Sequence, residues 1–340
     1  MTLLLAPDSF KECLSAREVA AALAAGVRER WPGAEVVEMP LADGGEGTLD
    51  ALVGPMGARM MKAEVHDPLG RPVQALWART GTTAILEVAQ ACGLQLLKRE
   101  ERNSLKASSY GVGELLLAAY EKGCRHFFVG LGGSAVCDGG KGMLEVPGLK
   151  SLKDITIELL CDVDAPFVGP RGAARVFAPQ KGASPEDVEV LEARMTAWAR
   201  EMQAETGVDV CDLPGAGAAG GLGGALMAYW GARRVSGIGR VLELVGFEKA
   251  ARGADLIITG EGKSDAQTLM GKVPQGVLQK AKGTPVALLS GCIENRSELL
   301  SAGFSQLIEV TPRSLPLSQA LEPATARRLL REAAPLIKIT

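Results

Sequence analysis

Two histidines in 340 residues leave little room for chemistry built on imidazole. A Ser-His-Asp relay or a histidine-rich zinc site is disfavoured. His66, beside a turn, and His126, at a strand entrance, read as structural. The seven cysteines (Cys13, Cys92, Cys124, Cys137, Cys161, Cys211, Cys292) form no Cys-x-x-Cys pair. They read as buried free thiols in a reducing cytoplasm. Aromatic residues make up only 4%, and the formal net charge is −3, so nothing favours a nucleic-acid face or an anionic membrane. No uncharged apolar run is long enough to span a bilayer. Met1–Leu5 lacks the basic stretch and the length of a signal peptide. A Walker A loop is missing too. Gly262-Lys263-Ser264 resembles its end, but the glycine needed five residues earlier is Ile257. What remains is a cytoplasmic globular protein with no membrane or nucleic-acid partner, whose acid–base work falls to carboxylates.

Glycine is abundant, with 42 residues, and hydrophobic residues reach 47%, ample for a core. The two meet in one recurring pattern, an apolar strand that breaks into glycine with an acid beside it. Phe127 to Val129 runs into Gly130-Leu131-Gly132-Gly133-Ser134, with Asp138 just beyond. The same construction recurs at Ala6-Pro7-Asp8-Ser9-Phe10-Lys11, at Leu41-Ala42-Asp43-Gly44-Gly45-Glu46-Gly47-Thr48 and at Ile258-Thr259-Gly260-Glu261-Gly262-Lys263-Ser264-Asp265. Bare N–H groups in such turns cradle phosphate oxygens, and a nearby carboxylate can hold Mg²⁺. Ligand sites of α/β sheets lie at the carboxyl ends of strands, so these turns are expected to converge on one phosphate-handling site.

The periodicity predicts an α/β fold. Leu3–Ala6 is a strand, Ser15 opens a helix through a capping box with Glu18, and Glu35–Met39 is the next strand. After about Gly57 the pattern becomes mixed. Met60–Val65 and Val73–Ala78 flank a turn at residues 67–72, and Thr83–Val88 reads as a third antiparallel strand. Ser184-Pro185 opens a long helix whose stripe of Val188, Leu191, Met195, Trp198 and Met202 reads as core. From Ala254 the strand–helix alternation returns. We therefore expect a parallel-sheet domain over 1–57 plus 253–340, interrupted by a mixed α/β domain over 58–252.

Two glycine fingerprints invite a nicotinamide reading, at Gly130–Ala135 and Gly215–Gly220. Neither is followed by a clear strand ending in an acid at the right distance. For Gly215–Gly224 the plain alternative is close backbone packing. An NAD-dependent oxidoreductase and a non-catalytic nucleotide- or anion-binding protein stand as rival functions.

Six motifs in order resemble the bacterial glycerate kinase type I family: Ala6–Lys11, Ala42–Thr48, Gly132–Ala135, Pro179-Gln180-Lys181-Gly182-Ala183, Gly215–Gly224 and Ile258–Gly262. The resemblance covers nearly the whole chain. It implies ATP- and Mg²⁺-dependent phosphorylation of D-glycerate, with 2-phosphoglycerate favoured, on a flavodoxin-like domain interrupted by a second α/β domain. Two departures stand out. Val136-Cys137 replaces the family's Thr-Asn, and the segment Met143–Cys161 is much shorter than the family's.

Phosphoryl transfer asks for positioning and charge neutralisation more than covalent chemistry. On that template Gly132, Gly133 and Ser134, with Gly217, Gly220 and Gly221, offer N–H groups to ATP phosphates. Asp138 and Glu261 hold Mg²⁺, and Lys11 neutralises the transferred group. Asp43 or Asp8 takes the hydroxyl proton. Ser9 faces the substrate, and Arg175 or Lys181 grips its carboxylate. The parts divide between the two domains, so a site in a cleft between them is expected. Whether the chain forms a homo-oligomer is left open.

Overall fold

The computed structural model describes residues 1–339. Among them, thirteen strands occur: β1 (Thr2–Leu5), β2 (Glu35–Glu38), β3 (Arg59–His66), β4 (Pro72–Thr80), β5 (Thr83–Glu87), β6 (His126–Gly130), β7 (Thr156–Leu160), β8 (Arg233–Val235), β9 (Leu256–Thr259), β10 (Lys263–Ser264), β11 (Val286–Ser290), β12 (Cys292–Ile293) and β13 (Gln306–Glu309). The chain forms two compact units. The first comprises Met1–Asp43, Asp50–Met56 and the chain from Ile238 onward; the second comprises Gly44–Leu49 and Gly57–Gly237. No described helix is long and apolar enough to cross a membrane.

The first unit is built on a five-stranded sheet in the order β13-β11-β9-β1-β2, parallel throughout. Counted within the unit, that is the doubly wound order 2-1-3-4-5 read from its other edge. The order reverses between β1 and β9, and a crevice opens there at the strand ends. The inner strands β1, β9 and β11 are short apolar runs because both faces are covered: Leu3, Leu4 and Leu5 of β1 and Ile257 and Ile258 of β9 are buried. The helix Ala16–Arg30 starts at Ser15, whose hydroxyl accepts from the Glu18 N–H at 3.3 Å while Glu18 accepts from the Ser15 N–H at 2.9 Å. Its Val19, Leu23 and Val27 face the sheet side of the core, as the helical spacing predicts.

The second unit holds a six-stranded sheet in the order β3-β4-β5-β6-β7-β8. The β3–β4 and β4–β5 pairs are antiparallel; from β5 to β8 the pairing is parallel. The turn of the first hairpin closes on Asp67, which accepts from Leu69 N, Arg71 N and Arg71 Nε at 2.8, 2.9 and 2.6 Å. The helix Pro185–Thr206 is capped by Ser184 and buries Val188, Leu191, Met195, Trp198 and Met202.

Where the expected crossings are Gly57 and Gly253, the compact units place 44–49 with the second unit and resume the first at Ile238. Local packing explains both shifts. A Cβ on Gly44 would lie 2.5 Å from Leu160 O at the end of β7, and the Ile238 side chain fills the space beside Gly276. The cysteines are not all buried: Cys292, on the short strand β12, is exposed, and Cys13 and Cys211 are half-buried. His66 pairs with Glu114 at 2.9 Å, and His126 bonds Thr156 Oγ1 at 2.7 Å, structural roles in both cases.

Candidate active site

In the first unit the loops after β1 and β9 lie against each other at the switch point. Ala6 N donates to Ile258 O and Asp8 N to Gly260 O, each at 2.8 Å, and Thr259 Oγ1 donates to Ala6 O at 2.8 Å. Gly260 has no alternative, since a Cβ there would sit 1.6 Å from Leu289 O. This stacking aims Asp8 and Glu261 at one cavity of about 470 Å³, also lined by Ser9, Lys11, Lys263 and Lys272. Phe10, Leu317 and Leu321 form its apolar side.

Asp8 is 6% exposed and accepts from Ser9 N at 2.7 Å. Its carboxyl is held up to about 8, first by burial and then by the Asp43 charge, with Glu261 adding to the rise and Lys11 and the Ser9 N–H opposing it. Glu261 sits in a dense polar net. Its Oε1 accepts from Thr268 Oγ1 at 2.7 Å and Ser264 Oγ at 3.3 Å, and its Oε2 pairs with Lys272 Nζ at 3.0 Å. Ser264 in turn shares a hydrogen bond of 2.7 Å with Ser290. The sequence reading missed Lys272, Thr268 and Ser290. Eleven positions separate Glu261 from Lys272, and no period links them. The one available signal was a Gly-Lys pair immediately before the helix Val273–Lys280.

In the second unit the turn after β6 is packed from beneath by the 44–45 loop: a Cβ on Gly132 would lie 2.5 Å from Gly45 Cα. Gly133 is exposed and takes a positive φ of 76°. No acceptor among the described residues takes the N–H of Gly132, Gly133 or Ser134. That is the backbone of an anion nest.

Other expected site residues have different occupations. Asp138 receives four donors: Ser109 N and Ser109 Oγ at 2.8 Å each, Gly140 N at 3.1 Å and Gly142 N at 3.2 Å. That set ties together the starts of the helices Tyr110–Glu121 and Lys141–Leu144, and it replaces the expected metal role. Asp138→Asn should therefore cost about 1–3 kcal/mol of stability and leave the Mg²⁺ requirement of any activity unchanged; a shifted requirement at unchanged stability would restore the metal role. Arg175 is bound on the surface to Glu189 at 2.6 and 2.9 Å, so its fork is occupied. Lys181 is buried, with Nζ on Ser134 Oγ and Val136 O. Gly217, Gly220 and Gly221 are buried packing glycines. Cβ atoms there would meet Pro166 O at 2.2 Å, Val136 O at 2.0 Å and Gly139 Cα at 2.7 Å. The larger groove of about 910 Å³ between the helices Ala16–Arg30 and Pro323–Glu332 holds no strand end, and its Arg327, Arg328 and Arg331 are engaged with Glu18, Glu332 and Glu29.

Among the described residues no three side chains of His, Cys, Asp or Glu converge as a metal cage. Mg²⁺ carried in on phosphate oxygens would suit such a site, because Mg²⁺ keeps several waters and needs only one or two carboxylates; Glu261, like Asp138, is engaged by donors of its own.

A doubly wound sheet with acids at its switch point and a separate glycine turn on a second α/β unit defines a two-unit α/β protein built to hold a small polar ligand. The chain belongs to the glycerate kinase family, whose match runs over residues 3–152 and 145–339. The two pieces meet in the shortened segment after Met143. Among similar proteins are a glycerate kinase of Bacillus subtilis (strain 168), 40% identical over 375 aligned positions covering 100% of this chain and 98% of the relative, and a glycerate 2-kinase of Escherichia coli (strain K12), 42% identical and covering 83% of this chain and 82% of the relative. A crystal structure of a Salmonella typhimurium LT2 protein assigned as glycerate kinase 2 superposes with a TM-score of 0.81 at 39% identity, over 99% of this chain and 98% of that one.

Proposed function

We propose that this chain phosphorylates D-glycerate with ATP and Mg²⁺, giving 2-phosphoglycerate. Family membership over nearly the full length supports the reaction class. The glycerate 2-kinase named among the relatives favours the 2-position. The observation that carries the chemistry is the pair Asp8 and Lys11 in one cavity at the sheet's switch point.

Asp8 is the better suited of the two candidate bases. A base is most effective when its proton affinity lies near the working pH, and burial with Asp43 beside it raises that of Asp8 to about 8. Asp8 would accept the hydroxyl proton of glycerate, with Asp43 tuning it. Ser9 fixes the carboxyl's orientation through its N–H. Lys11 would meet the developing charge on the transferred group, and Lys272 or Lys263, which line the same cavity and pair with Glu261 and Glu294, would grip the substrate carboxylate by exchanging that partner. The unpaired N–H groups at Gly132–Ser134 would receive nucleotide phosphates. Mg²⁺ would enter on those phosphates and supply charge neutralisation when bound.

The test is a coupled assay of ADP release over a panel of small hydroxy acids, with NMR of the product. D-Glycerate should be the preferred acceptor, with Mg²⁺ required and the phosphate on C2. ADP release that is independent of glycerate would overturn the reading.

A further inference from the structure

Lys181 is a buried cation without a direct ion pair, the Asp138 charge acting on it only at a distance. It is 2% exposed, and among the described residues no carboxylate pairs with it. Its ammonium donates instead to Ser134 Oγ at 2.9 Å and Val136 O at 2.6 Å. Its own backbone is fixed to deliver it there. The turn Pro179–Lys181 ends in Gly182 at a left-handed φ of 91°, and the Lys181 carbonyl accepts from Ser104 Oγ at 2.9 Å. Desolvation lowers the lysine's proton affinity, a direct sign that burial disfavours its charge. Packing does not need that charge: an unbranched apolar side chain of similar length would fill the space, and such replacements of buried ions are often neutral or stabilising.

A second, independent observation lies at the other end of the contact. Gly132, Gly133 and Ser134 present N–H groups with no acceptor among the described residues. A serine hydroxyl carries one proton and accepts through two lone pairs. Since Lys181 donates to the Ser134 oxygen, the Ser134 proton is left over, and no described group accepts it.

We propose that Lys181 is the positioning residue of a phosphate site at Gly132–Ser134, holding Ser134 so that its hydroxyl donates to a phosphoryl oxygen and placing a positive charge behind the open N–H groups. Lys181 itself does not touch the ligand. The inference rests on the reading that this turn receives phosphate. The phosphate enters either on a nucleoside triphosphate or on the phosphorylated acid, and the experiment separates the two.

Isothermal titration of ATP, adenosine, 2-phosphoglycerate and glycerate is carried out on the full chain, on Lys181→Met, on Ser134→Ala and on the double variant. Each single change should weaken a phosphate-bearing ligand by roughly 10-fold or more, leave adenosine and glycerate within about twofold, and add little in the double variant. Loss confined to ATP and absent for adenosine assigns the site to the nucleotide; loss confined to 2-phosphoglycerate assigns it to the transferred group. Unchanged affinity for both phosphates overturns the proposal, and so does an equal loss for adenosine, which would mean general disruption. If Lys181→Met does not fold, Ser134→Ala decides alone, because it deletes one oxygen and leaves the lysine's bond to Val136. A wild-type chain without ATP-dependent glycerate phosphorylation would sink the underlying reading, whereas an active wild type with indifferent variants sinks only this inference.

Discussion

Asp8→Asn is expected to do two opposite things: cut turnover by roughly 10²-fold or more and raise the melting temperature in metal-free buffer at pH 8. The side chain keeps its shape and its bond from the Ser9 N–H, so the site's geometry survives and only the proton acceptor is lost. The stability effect follows from linkage. The Asp8 carboxyl titrates at about 8 in the folded chain against an ordinary 3.8, so the folded state binds this proton more tightly than the unfolded state. Between those two values the folded state holds more protons, and stability falls as pH rises. At pH 8 the native protein must carry a buried charge beside Asp43 and Glu261; asparagine removes it. The gain should be about 2–5 °C at pH 8 and should be largely lost near pH 4, where the folded carboxyl is protonated and the unfolded one about half so. Calorimetric scans at the two pH values, with a turnover assay, check this. A melting temperature that drops at pH 8, or a gain of equal size at both, would show that the acid cluster is not strained as described. Near-normal turnover would remove Asp8 from the chemistry.

Gly260→Ala should be the most damaging small substitution in the first unit. Its Cβ would be built 1.6 Å from Leu289 O and 2.7 Å from Leu289 C, and both are backbone atoms that cannot swing aside. To relieve the clash, the loop after β9 must pull away from the end of β11, which also breaks the Asp8 N–H bond to Gly260 O. A cost above about 3 kcal/mol is expected from such overpacking against a rigid wall, read as a lowered denaturation midpoint together with loss of activity. Gly33→Ala is the control. Nothing lies within 4 Å of its Cβ and its φ is not in the left-handed region, so it should change stability by less than about 0.5 kcal/mol. If Gly260→Ala behaves like Gly33→Ala, the close stacking at the switch point is wrong.

Much of the fold was readable along the chain, since its signals are local. Strand β9 at Leu256–Thr259 and strand β11 at Val286–Ser290 are runs of apolar residues with both faces covered. Ser15 with Glu18, and Ser184 with Asp187, announce their helices by reciprocal caps. The hairpin around Asp67 is a turn whose side chain bonds residues two and four positions on. The acids and glycines at strand ends were visible for the same reason: the punctuation of a strand is written within a few residues.

The occupations of those residues were not. Asp8, Asp138 and Glu261 look alike in sequence, an acid near glycine at the end of an apolar run. Tertiary structure gives Asp8 burial and a neighbouring carboxyl, gives Asp138 four donors from segments as distant as Ser109, and gives Glu261 an ion pair with Lys272. Gly132 and Gly220 both read as phosphate-binding glycines; the first keeps open N–H groups, while the second is pressed within 2.0 Å, measured from a would-be Cβ, of Val136 O. The sequence by itself determined which segments are strands and helices, because backbone preference and hydrophobic period act over a few residues. Which acid strains, which one caps and which lysine lies under the glycine turn depends on desolvation and on partners brought together from across the chain, and only the folded arrangement decides those.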